Sequence, residues 1–350
     1  MVETFKSNIQ ISDFDNEGSV SARCPSNIAL IKYWGKREPQ IPMNPSLSFT
    51  LTESYTETEL RFKPKASTDF AVKIFMDGEL KNDFSPKILK FFDRIEAYLP
   101  FLRKFEFEIH THNTFPHSSG IASSASGLGA LAFCLTDLEN ILGGELSENE
   151  KLRKTSFLAR LGSGSACRSI YPGITVWGET ELVKDSSDLY AIPYPYEIHE
   201  IFKGFRDSIL LIDEGEKQVS STVGHQLMEN HPYAKTRFED AKKNLQQLIP
   251  VLKSGDLETF GKIVEHEALS LHAMMMTSDP YFILMKPDTV KVIDLIWSFR
   301  KTAFVPLFFT LDAGANIHIL YPNDYDFDSF AKELKDRISN KKKIIQDLTF

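Results

Sequence analysis

Residues 104–144 read KFEFEIHTHNTFPHSSGIASSASGLGALAFCLTDLENILGG. Phe105, Phe107 and Ile109 alternate with polar residues, the period of a half-buried strand. Past a Ser/Gly-rich turn, Leu128, Leu131, Ala132, Leu135 and Leu138 build the packed face of a helix, and Gly143–Gly144 ends it. A helix N-terminus carries free N–H donors and partial positive charge, so this junction attracts phosphate. Gly120 and Gly127 allow close backbone approach, and the hydroxyls of Ser123, Ser124 and Ser126 can donate to phosphate oxygens or ligate hydrated Mg²⁺. The same residues also read as a flexible linker followed by small side chains for close helix packing. The stretch is neither a Walker A loop nor a dinucleotide fingerprint, because the required Lys-Ser/Thr and glycine spacings are missing.

Outward from this unit the pattern stays mixed. A second Gly/Ser turn, LGSGSACRSIYPG, precedes a strand-like ITVWGETEL. The second half is more helical. AKTRFEDAKKNLQQLIPVLKSGD sets Phe238, Ala241, Leu245, Leu248 and Ile249 near helical spacing and stops at Gly255; VKVIDLIWSFRK and DFDSFAKELKDRI read as further helices. PLFFTLDAGANIHILYP reads as two strands joined by a tight turn. The Pro-containing stretch YAIPYPYEIHEIF, residues 190–202, is the expected boundary, giving an α+β chain with domains 1–195 and 196–350 and a cleft between them.

At 350 residues, 42% hydrophobic and 25% charged, with 27 Phe, the chain can bury ample cores. A net charge of −8, spread along the length, argues against nucleic acid or anionic membrane as a partner, so an anionic substrate needs a local group of cations. Cys24, Cys134 and Cys167 are odd in number, far apart and in no metal-ligand spacing, which fits a reducing compartment. The N-terminal stretch has acids from its third residue and no long apolar run, and no segment reaches the roughly 18 apolar residues of a spanning helix. The expectation is a cytoplasmic protein.

Three more segments carry possible chemistry. SARCPSNIALIKYWGKR, residues 21–37, sets Lys32, Lys36 and Arg37 beside two aromatics; the lysines suit phosphates, or they snorkel from the exposed end of a strand. GSGSACRS, residues 162–169, presents Arg168, whose planar fork suits a carboxylate, or is a surface turn with an incidental Arg. TLDAGAN, residues 310–316, puts Asp312 at the mouth of a turn, where it bonds its own backbone, or accepts or orients a substrate hydroxyl.

Taken together and in order, SNIALIKYWGKR, IPMNPSLSFTL, FPHSSGIASSASG, GSGSACRSIYPG and LDAGAN, with a weaker KQVSSTVGH, resemble the mevalonate diphosphate decarboxylase branch of the GHMP kinase superfamily. The likeness runs from about residue 20 to about residue 322. It implies the GHMP kinase fold, with a ribosomal protein S5 domain 2-like N-terminal domain containing an unusual βαβ crossover and a ferredoxin-like C-terminal domain. It implies ATP and Mg²⁺ over the serine loop, with Ser118, Ser119, Gly120, Ser123, Ser124 and Ser126 at the phosphates and Ser124 toward the metal. Asp312 matches the family's catalytic Asp near the substrate 3-hydroxyl, Arg168 the residue that holds the substrate carboxylate, and Lys32 a lysine near the reacting groups. Tyr33, Lys36, Ser163 and Ser220 fall where the family contacts the diphosphate. A homodimer is the family expectation. The sequence departs from the pattern at HSSGIASSASG, at Ala315 where Pro is common, and at Pro45, which interrupts a stretch that often holds two serines near Asn44 and Ser46.

The implied reaction is ATP-dependent decarboxylation of (R)-5-diphosphomevalonate to isopentenyl diphosphate, with ADP, phosphate and CO₂. Within the superfamily the rivals are a phosphomevalonate decarboxylase and a mevalonate 3-kinase; outside it, a non-catalytic ligand-binding protein, which loss of the charged groups would mark. His266 and His272 superficially resemble a zinc pair, but six residues separate them by about 240° around a helix, so they read as satisfied histidines. Met274–Met276 read as filling the core or lining the cleft, and Lys341–Lys343 as a solvated turn.

Overall fold

Strand β1 (Gly18–Ile31) alternates in exposure over its first part and is fully buried from Ser26 onward. It is followed by the short β2 (Lys36–Arg37) and β3 (Ile41–Pro42), then β4 (Ser46–Pro64), β5 (Ala71–Met76), β6 (Glu79–Leu80), α1 (Ser85–Ile95), β7 (Phe105–Asn113), α2 (Ser123–Ile141), α3 (Glu148–Gly162), β8 (Ile174–Trp177) and β9 (Ile192–Pro193). The second half runs β10 (Phe205–Leu211), α4 (Ser221–Gln226), α5 (Ala234–Ser254), α6 (Leu257–Met276), α7 (Pro287–Ala303), β11 (Phe308–Thr310), β12 (Ile317–Tyr321), α8 (Asp328–Arg337) and β13 (Lys343–Thr349). This is a computed structural model, and the residues it describes are 2–9, 17–116, 121–213, 215, 221–338 and 342–349.

One 11-stranded sheet contains all strands except the β2–β3 hairpin. Its organiser is β4, whose one edge pairs with β1 along most of its length. The other edge meets β8 at Ser46–Phe49, β13 at Leu51 and β7 at Thr56–Pro64. Beyond β13 the sheet continues antiparallel through β10, β12 and β11. The expected βαβ crossover is β5–α1–β7, with β5 and β7 parallel.

Local chemistry sets the helix ends. Ser147 and Glu150 form a reciprocal capping box at the start of α3, Asp256 caps α6 through the Thr259 N–H, and Gly255 takes φ +80° to close α5. Helix α2 packs on β1 and β4. Its small residues serve that approach: a Cβ on Gly129 would lie 2.4 Å from Cys24 Sγ.

A Phe-rich core under α1, α2 and α3 fills the first half. A second core joins Ile28, Leu47 and Phe49 to Leu245, Phe260 and Phe308, so residues on both sides of position 195 share it. A third lies between β10–β12 and helices α7 and α8. Among the described residues no helix is long and apolar enough to cross a membrane.

Three sequence expectations change. The strand expected over ITVWGETEL is only four residues long. The second Gly/Ser turn is a buried 3₁₀ helix, Gly164–Ser169, rather than a surface loop. The solvated turn expected at Lys341–Lys343 gives way to β13, which starts at Lys343 and pairs with β10; Lys341 itself lies outside the described residues. Asp347 of that strand is buried because its carboxylate accepts the backbone N–H groups of Thr52, Glu53 and Ser54 at 2.8–2.9 Å.

Candidate active site

The end of β1, the N-terminus of α2, the Gly164–Ser169 helix and the β11–β12 turn converge on a cleft of about 860 Å³. Lys32, Tyr33, Lys36, Ser123, Ser124, Ser163, Arg168 and Asp312 all line it. Ser118, Ser119, Gly120 and Ser220 lie outside the described residues.

Lys32 follows directly after β1 and is only 2% exposed, so it does not snorkel. Its Nζ donates to Asp312 Oδ1 at 2.8 Å. Burial pulls the ammonium below its ordinary pKa; Asp312 opposes that shift and the nearby Arg168 adds to it. Asp312 sits between β11 and β12 with its side chain 28% exposed to the cleft. Its carbonyl accepts the Gly314 N–H at 2.7 Å within the turn and His272 Nε2 at 3.1 Å.

Arg168 is 3% exposed on the buried 3₁₀ helix. Nη1 donates to Ser46 Oγ at 2.8 Å and Nε to Asn27 Oδ1 at 3.3 Å. Among the described residues no carboxylate forms an ion pair with it, and burial lowers its pKa. An unpaired buried guanidinium costs several kcal/mol in desolvation, roughly the amount that a bound carboxylate would offset. The glycines of GSGSACRS have a steric reason here: a Cβ on Gly164 would lie 2.7 Å from the Tyr33 hydroxyl and 2.8 Å from the Trp177 ring.

Tyr33 stacks on His225 at 4.5 Å and meets Trp177 edge-on at 4.8 Å. Burial raises the Tyr33 pKa, keeping the phenol a hydrogen-bond donor. His225, buried by the Tyr33 and Trp34 rings, accepts the Gly35 N–H through Nδ1 at 2.9 Å, and its pKa is pushed down to about 3, mainly by burial and then by Lys36 and Arg168. Lys36, half-buried, has its pKa lowered by burial, partly offset by Glu38.

At α2 the N-cap residue, Ala122, holds a left-handed conformation at φ +48° and offers no side-chain acceptor to the first amides. Ser123 and Ser124 face the cleft, and Ser124 Oγ accepts from Lys87 Nζ at 2.8 Å. Ser126 leaves this set. It is fully buried, its hydroxyl accepting from Thr56 Oγ1 of β4 at 2.7 Å and donating to the Ser123 carbonyl at 3.3 Å, so it is held by the sheet and its own helix.

Among the described residues no cluster of three or more His, Cys, Asp or Glu could cage a metal. A dication at this cleft would be held chiefly by phosphate oxygens and water with a single protein oxygen, the usual manner of Mg²⁺ on nucleotides, and Ser124 or Asp312 fits that place.

Sequence reasoning missed Glu267, Arg237, Asn244, Asn27 and Lys87, and read His272 only as a satisfied histidine. Glu267 is fully buried, pairs with Arg237 at 2.5 Å and accepts the Lys32 N–H at 2.8 Å. The only available signal was its place in HEALSLH, which read as a failed zinc motif. That reading of the histidines holds: His266 is a surface partner of Asp240, and His272 is buried in the core.

Known proteins resemble this arrangement. A family model described as the diphosphomevalonate decarboxylase-like N-terminal domain matches residues 24–188, and one described as the mevalonate 5-diphosphate decarboxylase C-terminal domain matches residues 208–349. A diphosphomevalonate decarboxylase of Debaryomyces hansenii is 30% identical over 332 residues, covering 87% of this chain and 79% of its own. The mevalonate diphosphate decarboxylase of Staphylococcus aureus superposes with a TM-score of 0.81 at 30% identity, over 97% of this chain and 98% of that one. A structure of MDDEF in complex with MVAPP, AMPPCP and magnesium superposes at 0.82 with 30% identity, over 95% of this chain and 97% of that one.

Proposed function

The chain belongs to the diphosphomevalonate decarboxylase family, and we propose that Lys32, Asp312 and Arg168 carry its ATP-dependent decarboxylation of 5-diphosphomevalonate to isopentenyl diphosphate. Its architecture is the two-domain GHMP kinase-like one, and ATP with Mg²⁺ serves the reaction. The observation that carries the assignment of residues is Arg168: a buried guanidinium whose hydrogen-bond partners among the described residues are neutral, 5.5 Å from the Tyr33 ring and facing the same cleft as Asp312.

Hydroxide is too poor a leaving group for a 3-hydroxy acid to lose CO₂ directly. Asp312 orients the tertiary hydroxyl and receives its proton as the oxygen attacks the γ-phosphorus, and ADP leaves with the electron pair of the broken P–O bond. The C3–O bond then breaks with its electrons going to phosphate, leaving positive charge at C3. Arg168 holds the carboxylate until the C1–C2 electrons close the alkene and CO₂ departs. Lys32 stabilises the transferring phosphoryl group, and Ser123 and Ser124 at the positive end of α2 hold the nucleotide phosphates. When bound, Mg²⁺ neutralises charge on those phosphates. Tyr33, Lys36, Ser163 and Ser220 are assigned to the 5-diphosphate.

The protein is read as a cytosolic homodimer, with domains dividing near residue 195. Buried, unpaired thiols at Cys24, Cys134 and Cys167 support a reducing compartment. The decisive assay supplies ATP, Mg²⁺ and mevalonate carrying zero, one or two 5-phosphates and follows ADP and CO₂ together. Equal release of both, fastest with the diphosphate, is the expected result. ADP without CO₂ would make the protein a 3-kinase, and preference for the monophosphate would move the substrate.

A further inference from the structure

Helix α6 reaches both members of the Lys32–Asp312 pair, and it does so through their peptides. Glu267 Oε2 accepts the Lys32 N–H at 2.8 Å. The same carboxylate is held by Arg237 Nη1 at 3.1 Å, Arg237 Nη2 at 2.5 Å and Asn244 Nδ2 at 2.6 Å. Arg237 Nη2 turns back to donate to the Lys32 carbonyl at 3.1 Å, where Asn44 Nδ2 joins it at 3.0 Å. Five residues further along the helix, His272 Nε2 donates to the Asp312 carbonyl at 3.1 Å.

The arrangement answers a geometric need. Lys32 ends a strand of the first half, and Asp312 lies in a turn of the second, 280 residues away. Their side chains do chemistry together only if two separate backbones are held in register, and a misplacement of about 1 Å can cost on the order of 10²-fold in rate. Burial keeps His272 neutral, with its pKa drawn down to about 4, so Nε2 stays a donor without adding charge beside Lys32.

We propose that Glu267 and His272 are positioning residues, with which helix α6 sets the spacing of Lys32 and Asp312 by gripping their backbones. The proposal rests on the reading of Lys32 and Asp312 as the reacting pair. Glu267 touches no cleft surface, and its four accepted hydrogen bonds leave its carboxylate oxygens fully engaged in the Lys32 peptide and its neighbours.

The test uses the full chain with His272→Leu and His272→Gln, each alone and combined with Asp312→Ala, reading kcat and KM from ADP release and the folded fraction from urea melts. Leu removes the donor, whereas the Gln amide can replace Nε2. His272→Leu should lower kcat about 10- to 100-fold per folded molecule while KM for ATP and for 5-diphosphomevalonate stays within about threefold. His272→Gln should recover kcat to within about threefold, and in the Asp312→Ala background His272→Leu should change the residual rate less than about twofold. An unchanged kcat in His272→Leu, or an equal loss in both backgrounds, would overturn the positioning role and leave the active-site reading intact. An unchanged kcat in Asp312→Ala alone would instead remove the reacting pair, and this inference with it. Glu267→Gln, read against Lys32→Ala in the same way, checks the other arm; if it fails to fold, the His272 variants decide.

Discussion

Lys32 Nζ and Asp312 Oδ1 lie 2.8 Å apart, an ion pair with one partner almost wholly buried and the other open to the cleft. The asymmetry matters. The lysine is buried and its ammonium donates to the Asp312 carboxylate, with Glu267 adding a weaker favourable charge, so whatever displaces or neutralises Asp312 frees a cation toward the incoming phosphates. The pair stores an electrostatic preference at the place where charge must move.

Asp312→Asn keeps the size of the side chain and removes its charge and basicity. Its kcat, measured by ADP release, should fall on the order of 10²–10⁴-fold, the usual worth of a positioned acid–base group. A rate within about tenfold of the native protein would exclude Asp312 from the proton transfer.

Arg168→Lys keeps charge but cannot reproduce the two-pronged grip or reach both Ser46 and Asn27. Losing one charged hydrogen bond of about 1.5–3 kcal/mol should reduce kcat/KM about 10- to 100-fold. Native turnover in this variant would show that the carboxylate is held elsewhere.

Gly164→Ala puts a methyl against the Tyr33 hydroxyl and Trp177 ring. Overpacking of this kind should destabilise by about 1–3 kcal/mol in urea unfolding. It should also raise KM for the phosphorylated substrate, because Tyr33 must shift. An unchanged KM would argue that Tyr33 does not touch the substrate.

The buried histidines fix the sign of an acid effect. His225 has an ordinary pKa of 6.5 and a folded one of about 3. Between these values the unfolded chain binds a proton that the folded one refuses, so stability is fully present above 6.5 and is lost as pH falls toward 3. His272 acts alike down to about 4. Each pH unit in the window costs about 1.4 kcal/mol per histidine. Tm should therefore drop on acidification from 6.5 to 4, and the drop should be shallower in His225→Asn.

The sequence was legible wherever the signal was local. The alternation of Phe105, Phe107 and Ile109, the helix from Ser123 and the turn at Asp312 are set by neighbours a few residues away. The motifs near Lys32 and Arg168 were legible as motifs, yet their burial was not, since it depends on chain more than a hundred residues distant. Glu267 escaped because an acid on a helix ordinarily reads as solvated; Arg237, thirty residues earlier, together with Asn244 and the Lys32 N–H, makes its burial possible. Strand β13 was hidden for the same reason, as Asp347 looks like a surface residue until β4 supplies three N–H donors. Ser126 shows the opposite error, a motif residue facing the packing side of its helix.

Strand β4 pairs with strands of both halves, and one core spans them. Heat cannot melt either half while leaving the other's sheet edge and apolar surface covered. Cooperativity is thus written into the backbone: calorimetry should record a single endotherm, with calorimetric and van 't Hoff enthalpies in agreement. A substitution that loosens the first half should lower the melting point of the second by the same amount.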